Sequence, residues 1–341
     1  MLYQYMKKNI IQGSLITTYR CNAKCNMCNI WKNPSTASEE VPADIYNRLP
    51  DGLRINITGG EATIRTDIEQ IFENLYDRSS LLELSTNGYY TDKVVALANR
   101  FPKILIRVSV EGLPRVNDEK RGLRDGFDHA LRTILELKKT KCRNIGFSVV
   151  ISPDNYQDLV SLYELCVALD VELATSAVHN SWYFHKHDNV ETSEAALHEH
   201  ERFVRALLCS KRRRLKSRLK DYGRAYFNRS VHRRLRGDQG DYRPPCGAGT
   251  DFFFIDPWGN VAPCNGSEQE WVMGNIKDAS LDEIINSERG REMLERVRQC
   301  KRNCAFIVTE RHDMVRRPWK PIMWVIKNKW RIWRGQPLCW E

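Results

Sequence analysis

The sequence predicts an α/β fold with parallel strands, arranged either as a doubly wound sheet or as a barrel. Three observations support this prediction: strand-like apolar runs, helix-like segments between them, and polar residues where the runs end. The helix-like segments include residues 125–139 and 156–170, whose apolar side chains recur every three or four positions. The strand-like runs are residues 14–19, 53–58, 81–86, 104–110, 145–151 and 171–178.

Polar residues at the carboxyl ends of these runs are the first candidates for a functional site. Parallel α/β folds bind their ligands at that edge of the sheet or barrel. Cys21, Gly59, Thr86 and Glu111 follow the first four runs. After residue 180 the alternation stops, and a helical basic stretch leads to a second segment with its own cysteines.

The cysteine content points to metal or redox chemistry. The 341-residue chain has 11 cysteines, no apolar run long enough to span a membrane, and no signal peptide at its amino terminus. We therefore expect a cytosolic protein, where thiols stay reduced and a disulfide framework is not expected.

The positive charge of the chain, +10 at neutral pH, is concentrated in one stretch. Residues 211–236 contain 12 lysines and arginines against one acid, Asp221. Such a run indicates an anionic partner, which could be phosphate, nucleic acid or a lipid surface. The simpler interpretation is a solvated helix face.

Three closely spaced thiols, Cys21, Cys25 and Cys28, lie just after the first strand. One short loop could wrap them around a compact centre of zinc, copper or iron and sulfur, because thiolates favour these metals. The alternative is three unrelated cysteines in the core.

The next three strands end in the motifs GGE (59–61), STNG (85–88) and SVEG (109–112). Together with CxxxCxxC, these motifs resemble the radical S-adenosylmethionine (SAM) superfamily over residues 12–180. The resemblance implies a partial (β/α)6 TIM-like barrel and a [4Fe-4S] cluster that SAM chelates at its fourth iron. This chain differs from the family pattern at Met27, where the family usually has an aromatic residue, and at Ala62, where the family usually has proline.

The resemblance also implies which residues bind the cofactors. Cys21, Cys25 and Cys28 would hold the cluster, and Met27 would lie beside the adenine. Gly59, Gly60 and Glu61 would meet the amino group of SAM, and Thr86 and Asn87 would lie near its methionyl part. Ser109 and Glu111 would reach its carboxylate or ribose. Arg121 is a further candidate for the carboxylate, although an exposed loop arginine is an equally good interpretation.

The second set of thiols is Cys246, Cys264, Cys300 and Cys304. Their arrangement, CGxG, a hairpin ending in PC and two late cysteines, resembles the SPASM auxiliary-cluster extension or its shortened form, twitch. We expect a small twitch-type α+β domain with one auxiliary [4Fe-4S] cluster, because four thiols are too few for two clusters. A structural zinc site is the alternative.

The predicted division of the chain has four parts. They are a radical SAM barrel (1–180), a basic helical linker (181–240), the twitch domain (241–310) and a basic, Trp-rich tail (311–341). The tail contains five of the nine tryptophans and eight lysines or arginines. We expect it to dock on the barrel and cover the substrate opening; peripheral membrane contact is the second interpretation, and nucleic acid ranks below both.

The resemblance implies an oxidoreductase that cleaves SAM to a 5′-deoxyadenosyl radical and removes hydrogen from an unactivated carbon. We expect oxidation of a sugar, cyclitol or similar alcohol, which could bear phosphate, with electrons from a flavodoxin or ferredoxin. The alternatives are an epimerase and a peptide (RiPP) maturase. The peptide maturase ranks second because only 20 residues precede Cys21, too few for a leader-binding domain. A basic nucleic-acid-binding or electron-carrying iron-sulfur protein is the alternative of another class. The expected location is the cytoplasm, with the inner face of the membrane as a second possibility.

Overall fold

A single sheet runs through the molecule. The computed structural model describes residues 12–238, 246–302 and 304–341 except the side chain of His312, and within these residues nine strands form one sheet in the order β6-β5-β4-β3-β2-β1-β7-β8-β9. The first six strands are parallel, which confirms the predicted α/β fold. The strands are β1 (Gln12–Ile16), β2 (Arg54–Thr58), β3 (Leu81–Thr86), β4 (Leu105–Ser109), β5 (Asn144–Ile151), β6 (Glu172–Ala177), β7 (Phe252–Ile255), β8 (Asn260–Ala262) and β9 (Gly274–Asn275).

Helices alternate with the first six strands; within the described residues, two more helices precede β7 and four follow β9. The two helix-like segments of the sequence correspond to α4 and, after a short 3₁₀ turn, to α5. The helices are α1 (Ile68–Tyr76), α2 (Thr91–Arg100), α3 (Pro114–Arg121), α4 (Gly126–Leu137), α5 (Leu159–Ala168), α6 (Glu194–Leu208), α7 (Leu215–Leu235), α8 (Leu281–Asn286), α9 (Glu288–Gln299), α10 (Ile307–Arg316) and α11 (Trp319–Trp333).

The main core lies between the parallel strands and the helices that cover them. Burial alternates along β2 and β3, so Ile57 and Leu84 are buried while their neighbours are partly exposed. Phe72 of α1 and Ile134 of α4 belong to the same buried cluster. Removing this apolar surface from water stabilises the barrel and fixes the strand ends that form the site.

The carboxyl-terminal segment joins the sheet of the barrel. β7 pairs with β1 in parallel, with Phe252 opposite Gln12 and Ile255 opposite Leu15, and β8 and β9 extend the sheet in antiparallel fashion. Gly13 allows this pairing, since a Cβ there would lie 2.5 Å from the ring of Phe253. The sequence predicted a small α+β domain and did not indicate that its strands would continue the barrel. The predicted boundary between residues 240 and 241 lies outside the described residues.

The basic stretch 211–236 is anchored by its one acid. Asp221 of α7 is fully buried, and its carboxylate accepts hydrogen bonds from the Tyr163 hydroxyl at 2.8 Å and the Ser210 hydroxyl at 2.6 Å. It also pairs with Arg212 at 2.9 Å and Arg224 at 3.1 Å. This part of the run is therefore packed against α5 and is more than a solvated helix face.

The tail forms two helices, and α11 packs on the linker helices α6 and α7. Trp324 is buried against Tyr226 of α7, with ring centroids 5.7 Å apart. The sequence predicted docking over the substrate opening, whereas α11 docks on the outer side of α7. None of the described helices combines the length and apolarity that crossing a bilayer requires.

Two buried histidines hold the end of the chain. His200 of α6 and His232 of α7 lie with their Nδ1 atoms 3.3 Å apart, and the ring of Trp340 stacks on His232 with centroids 3.5 Å apart. Burial lowers the pKa of His200 to about 4, and burial together with His200 and Arg236 lowers that of His232 to about 3. Both rings are therefore neutral near pH 7.

Replacing Asp221 with alanine should destabilise the protein by about 3–5 kcal/mol, because the buried Arg212 guanidinium loses its carboxylate partner. Thermal unfolding under anaerobic conditions would measure the change. The matched control is Glu136→Ala, since Glu136 forms only an exposed ion pair with Lys139 and should contribute less than about 0.5 kcal/mol. Equal effects of the two substitutions would contradict the anchoring role of Asp221.

Stability should fall as the pH drops below about 6.5, the ordinary pKa of histidine. Below this pH the unfolded chain binds protons that the folded chain, with its lowered histidine pKa values, does not bind, so protonation favours unfolding. The thermal midpoint should therefore decrease from pH 7.5 toward pH 5, and His232→Phe should make the decrease shallower. His198→Gln is the control, since His198 is exposed on α6, and an unchanged slope in His232→Phe would contradict the assignment.

Candidate active site and auxiliary thiol site

The loop with the first three thiols starts directly after β1 and is fixed by main-chain hydrogen bonds to the end of α3. The amides of Lys24 and Asn26 donate to the carbonyls of Arg121 and Lys120, both at 2.9 Å. Gly122 ends α3 in a left-handed conformation, and a Cβ there would lie 2.7 Å from the Lys24 carbonyl oxygen. The loop is therefore held in one conformation by the barrel.

The GGE loop lies against the start of the thiol loop. The amide of Gly60 donates to the Thr18 carbonyl at 2.7 Å, and the amide of Glu61 donates to the Arg20 carbonyl at 2.9 Å. A Cβ on Gly60 would come within 2.4 Å of the Arg20 carbonyl oxygen. The family resemblance assigns Gly60 to SAM binding, whereas the backbone of the thiol loop already requires glycine at this position.

The Glu61 carboxylate links the ends of β2 and β3. It is buried and accepts hydrogen bonds from the hydroxyls of Thr63 at 2.6 Å and Thr86 at 2.8 Å, and from the Asn87 amide at 2.7 Å. The Asn87 side chain then donates to the Asn22 side chain in the thiol loop at 2.7 Å. Glu61, Thr86 and Asn87, predicted as SAM contacts, thus form one network that positions the loop.

Glu111 and Arg121 form a buried ion pair beside the thiols. Arg121 donates to Glu111 at 2.8 Å, and the Val150 amide donates to the other carboxylate oxygen at 2.9 Å. Burial raises the pKa of the Glu111 carboxyl in spite of the adjacent Arg121 guanidinium. The Nε atom of Arg121 is buried without a hydrogen-bond partner, so the exposed-loop interpretation of this residue is wrong.

Ser109 and Met27 lie at the margin of this group. Ser109 is half-buried, with its hydroxyl 3.4 Å from that of Ser148. Met27 is also half-buried, and its carbonyl accepts a hydrogen bond from Asn189 at 3.1 Å. Unlike Glu61 and Glu111, these two side chains are not enclosed in a protein network.

Sequence reasoning missed Glu40, which contacts residues at the start of the thiol loop. Its buried carboxylate pairs with Arg20 at 2.7 Å, accepts a hydrogen bond from Ser35 at 2.7 Å and contacts Thr18 and Arg65. Burial would raise the pKa of Glu40, but the hydrogen bonds from these neighbours lower it below its usual range. No motif marks such an acid, because it lies in an irregular segment with no periodic pattern.

The second set of thiols lines one cavity of about 420 Å³. Cys246, Cys264, Cys300 and Cys304 all contribute to its wall, together with aromatic side chains such as Trp271 and Phe306. Burial raises the pKa of the Cys264 thiol, and the other three thiols are near enough to raise it further. Chain segments before β7, after β8 and after α9 are thus brought to a single site.

Residues 180–189 and a small apolar cluster connect the two thiol sites. The Asn29 amide, next to Cys28, donates to the Phe184 carbonyl at 3.0 Å, and the Trp182 amide donates to the Ser267 carbonyl at 2.8 Å. The cluster packs against Cys28. One of its members, Ala262, is the last residue of β8 and lies two residues before Cys264. Its buried members are Ile16, Tyr19, Ile30, Tyr183, Phe254 and Ala262.

The residues present fit iron-sulfur clusters. Each set offers soft thiol ligands. In the first set, burial raises the pKa of Cys21 and Cys28 to about 12, and metal binding would displace their protons. The unpartnered Nε of Arg121 supplies a cationic donor beside the first set. No three His, Cys, Asp or Glu side chains within the described ranges are already drawn together around a single ion position.

Comparison with protein families gives two matches. The sequence model of the radical SAM superfamily matches residues 15–166, and that of the SPASM iron-sulfur cluster-binding domain matches residues 246–305. The first match contains the thiol loop and the GGE, STNG and SVEG motifs. The second contains all four thiols of the auxiliary cavity.

Curated relatives include peptide maturases and tetrapyrrole synthases. The antilisterial bacteriocin subtilosin biosynthesis protein AlbA of Bacillus subtilis is 23% identical over 79% of this chain and 58% of its own length. The Fe-coproporphyrin III synthase of Methanosarcina barkeri is 26% identical over 47% of this chain and 41% of its own. The mycofactocin maturase MftC of Mycolicibacterium smegmatis is 29% identical over 42% of this chain and 38% of its own length. The matches thus span about two to three fifths of these relatives.

Solved structures share the fold. One is anSMEcpe with bound AdoMet, at 18% identity and a TM-score of 0.58, covering 86% of this chain and 88% of that one. Another is Streptococcus suis SuiB bound to precursor peptide SuiA, at 15% identity and a TM-score of 0.62, covering 90% of this chain and 73% of that one. At these identities the similarity concerns the fold, which agrees with the predicted partial barrel.

Reconstituted protein should contain about eight iron atoms per chain if each thiol set holds a cubane cluster. Replacing Cys21, Cys25 and Cys28 with alanine should lower this to about four and abolish SAM cleavage. Replacing Cys264 and Cys304 should also leave about four irons but retain some cleavage. Iron analysis and 5′-deoxyadenosine assays would measure both effects.

Cys142→Ala is the control for these substitutions, because Cys142 is buried at the other end of the sheet, with its thiol 3.3 Å from the Ile104 carbonyl. Its iron content should equal that of the unaltered protein. Zinc with about four irons in the unaltered protein would contradict the auxiliary cluster and favour a structural zinc site.

Proposed function

Since the chain is a member of the radical SAM superfamily with a carboxyl-terminal SPASM domain, we propose that it oxidises an unactivated carbon of a peptide by hydrogen abstraction. Its cofactors are SAM and [4Fe-4S] clusters. When bound, they supply the 5′-deoxyadenosyl radical and an electron acceptor. We assign Cys21, Cys25 and Cys28 to the SAM cluster and the four thiols of the cavity to an auxiliary cluster.

The observation that carries this proposal is the single cavity lined by all four carboxyl-terminal thiols. A fully ligated auxiliary cluster there is suited to accept an electron after hydrogen abstraction. An apolar cluster packs against Cys28 and includes Ala262, two residues before Cys264. Around the first site, the Glu61 network and the Glu111–Arg121 pair orient the thiol loop and exclude water.

A peptide substrate is favoured over the alcohol expected from the sequence. AlbA matches 79% of this chain, and its name places it in bacteriocin biosynthesis. MftC and the sporulation killing factor maturation protein SkfB are also maturation proteins by name. The tetrapyrrole synthases, like MftC and SkfB, match less than half of this chain. Oxidation of a sugar or cyclitol remains the second proposal.

Oxidation is favoured over epimerisation by the positions of the spare thiols. An epimerase needs a hydrogen donor near the radical. Apart from Cys166, which is buried within α5, the thiols outside the two sets are Cys142, Cys209 and Cys339. Cys142 precedes β5 and therefore lies at the amino ends of the strands. Cys209 follows α6 and is exposed, and Cys339 packs on α11. None of the three is beside the carboxyl ends of the barrel strands.

The basic linker gives no support for a phosphate-bearing substrate. Its cations line a pocket with Asn144 and Glu172, the first residues of β5 and β6. This is the amino end of the parallel strands, opposite to the thiol loop.

Membership of the radical SAM superfamily also argues against the alternative of an iron-sulfur protein without SAM chemistry. We propose a cytoplasmic enzyme, reduced by a flavodoxin or ferredoxin, that contacts the inner face of a membrane through its tail.

The test is anaerobic turnover of reduced, reconstituted protein with SAM and candidate substrates. The candidates are precursor peptides encoded beside its gene, sugar or cyclitol alcohols, and tetrapyrroles. We expect a peptide to raise 5′-deoxyadenosine formation and to lose the mass of two hydrogen atoms per turnover. The Cys264→Ala, Cys304→Ala variant should cleave SAM without forming this product.

Other outcomes would decide against specific parts of the proposal. Stimulation by an alcohol but by no peptide would favour the sequence-based expectation. Solvent deuterium at an inverted carbon, lost in a Cys142, Cys209 or Cys339 variant, would favour an epimerase. Absence of SAM cleavage by cluster-loaded protein would contradict the proposed chemistry as a whole.

A further inference from the structure

The outer face of α11 exposes a stripe of large apolar side chains. The members recur at helical spacing, three or four positions apart or multiples of these, and therefore lie within a band about 100° wide on one side of the helix. Each is at least half exposed. We call this stripe the α11 ridge; it consists of Trp319, Ile322, Met323, Ile326, Trp330 and Trp333.

The ridge is held facing outward because the opposite face of α11 is fixed. Trp324 and Asn328 are buried, and their side-chain nitrogens donate to the Cys339 carbonyl at 2.8 and 3.1 Å. Asn328 also accepts a hydrogen bond from the Cys339 amide at 2.7 Å. The helix therefore cannot rotate to bury its exposed stripe without breaking these contacts.

Positive charge flanks the ridge. α11 contains four basic residues and no acid, and Lys320, Lys327 and Arg334 are exposed beside the stripe. The Arg334 guanidinium lies 4.7 Å from the Trp330 ring. Tryptophan at the headgroup level, aliphatic side chains below it and cations at the sides are the features of a helix that lies in a bilayer interface.

A second exposed apolar pair lies toward one end of the ridge. The contacts of Trp324 with Tyr226 and of Lys329 with Tyr222 show that α11 runs antiparallel to α7. The carboxyl end of α11 therefore points toward the start of α7. There Leu215 and Leu219 are both more than half exposed, in the most basic part of the chain.

A basic pocket lies at this end of α7. It is lined by more cations than acids, and the buried Arg212 contributes to its wall. The Nη2 atom of Arg212 has no hydrogen-bond partner. This pocket gives the same end of the linker a site for an anionic group. Its basic members are Arg143, Arg212, Arg214, Lys216, Lys220 and Arg224.

We infer that the α11 ridge binds the surface of an anionic lipid bilayer, with the basic start of α7 contacting lipid phosphates. The inference specifies the surface for the membrane contact proposed above. It does not depend on the substrate or on the clusters. A second copy of this chain is a poorer occupant, since an isologous contact would bring the cations beside the ridge against one another.

The experiment is co-sedimentation of the full-length, cluster-loaded protein with vesicles. Phosphatidylcholine vesicles containing phosphatidylglycerol should bind the protein, vesicles of phosphatidylcholine alone should bind it weakly, and salt should release it. Ile326→Glu should reduce partitioning at least about tenfold, because a carboxylate would have to enter the interface. Lys327→Gln should reduce it less, and only at low salt.

Leu135→Glu is the matched control, since Leu135 is an exposed apolar residue on α4, and its partitioning should be unchanged. SAM cleavage by Ile326→Glu should equal that of the unaltered protein, which shows that the variant is folded and separates this test from that of the proposed function. Equal partitioning of Ile326→Glu and the unaltered protein would overturn the inference. So would self-association that Ile326→Glu abolishes without any binding to vesicles.

Discussion

The pairing of β1 with a strand on each side is the constraint on which both thiol sites depend. β2 lies on one side and β7 on the other, both parallel to it. The thiol loop leaves the carboxyl end of β1, and β2 delivers the GGE loop that supports it. β7 and β8 carry the segments that contain Cys246 and Cys264. The position of one five-residue strand therefore sets the positions of the first group of thiols and of two of the four auxiliary thiols.

Polar networks then hold the first site within an apolar fold. Glu61 accepts hydrogen bonds at the ends of two strands, and Glu111 is paired with Arg121. Glu40 joins Arg20, at the start of the thiol loop, to Arg65. Each of these carboxylates is buried, and each has its partners within the protein. Because leaving a buried charge unpaired is costly, such networks fix the geometry of the loop more sharply than apolar packing alone.

The sequence predicted the six barrel strands to within a few residues, because buried parallel strands appear as short apolar runs between amphipathic helices. It also identified the thiols that line the auxiliary cavity. The pairing of β7 with β1 could not be predicted, since contacts between distant segments leave no periodic signal. For the same reason Glu40 and residues 180–189 were missed. The composition of the tail predicts docking on the barrel, with membrane contact as the second interpretation, whereas α11 has one face packed on the protein and one face exposed.

The continuous sheet means that the two parts of the chain are not independent modules. A chain ending before β7 would leave β1 as an open edge, with the backbone groups of Gln12 to Leu15 unpaired beside an apolar surface. Such edges pair readily with other chains and cause aggregation. The carboxyl-terminal segment is thus also a protective cover for the barrel.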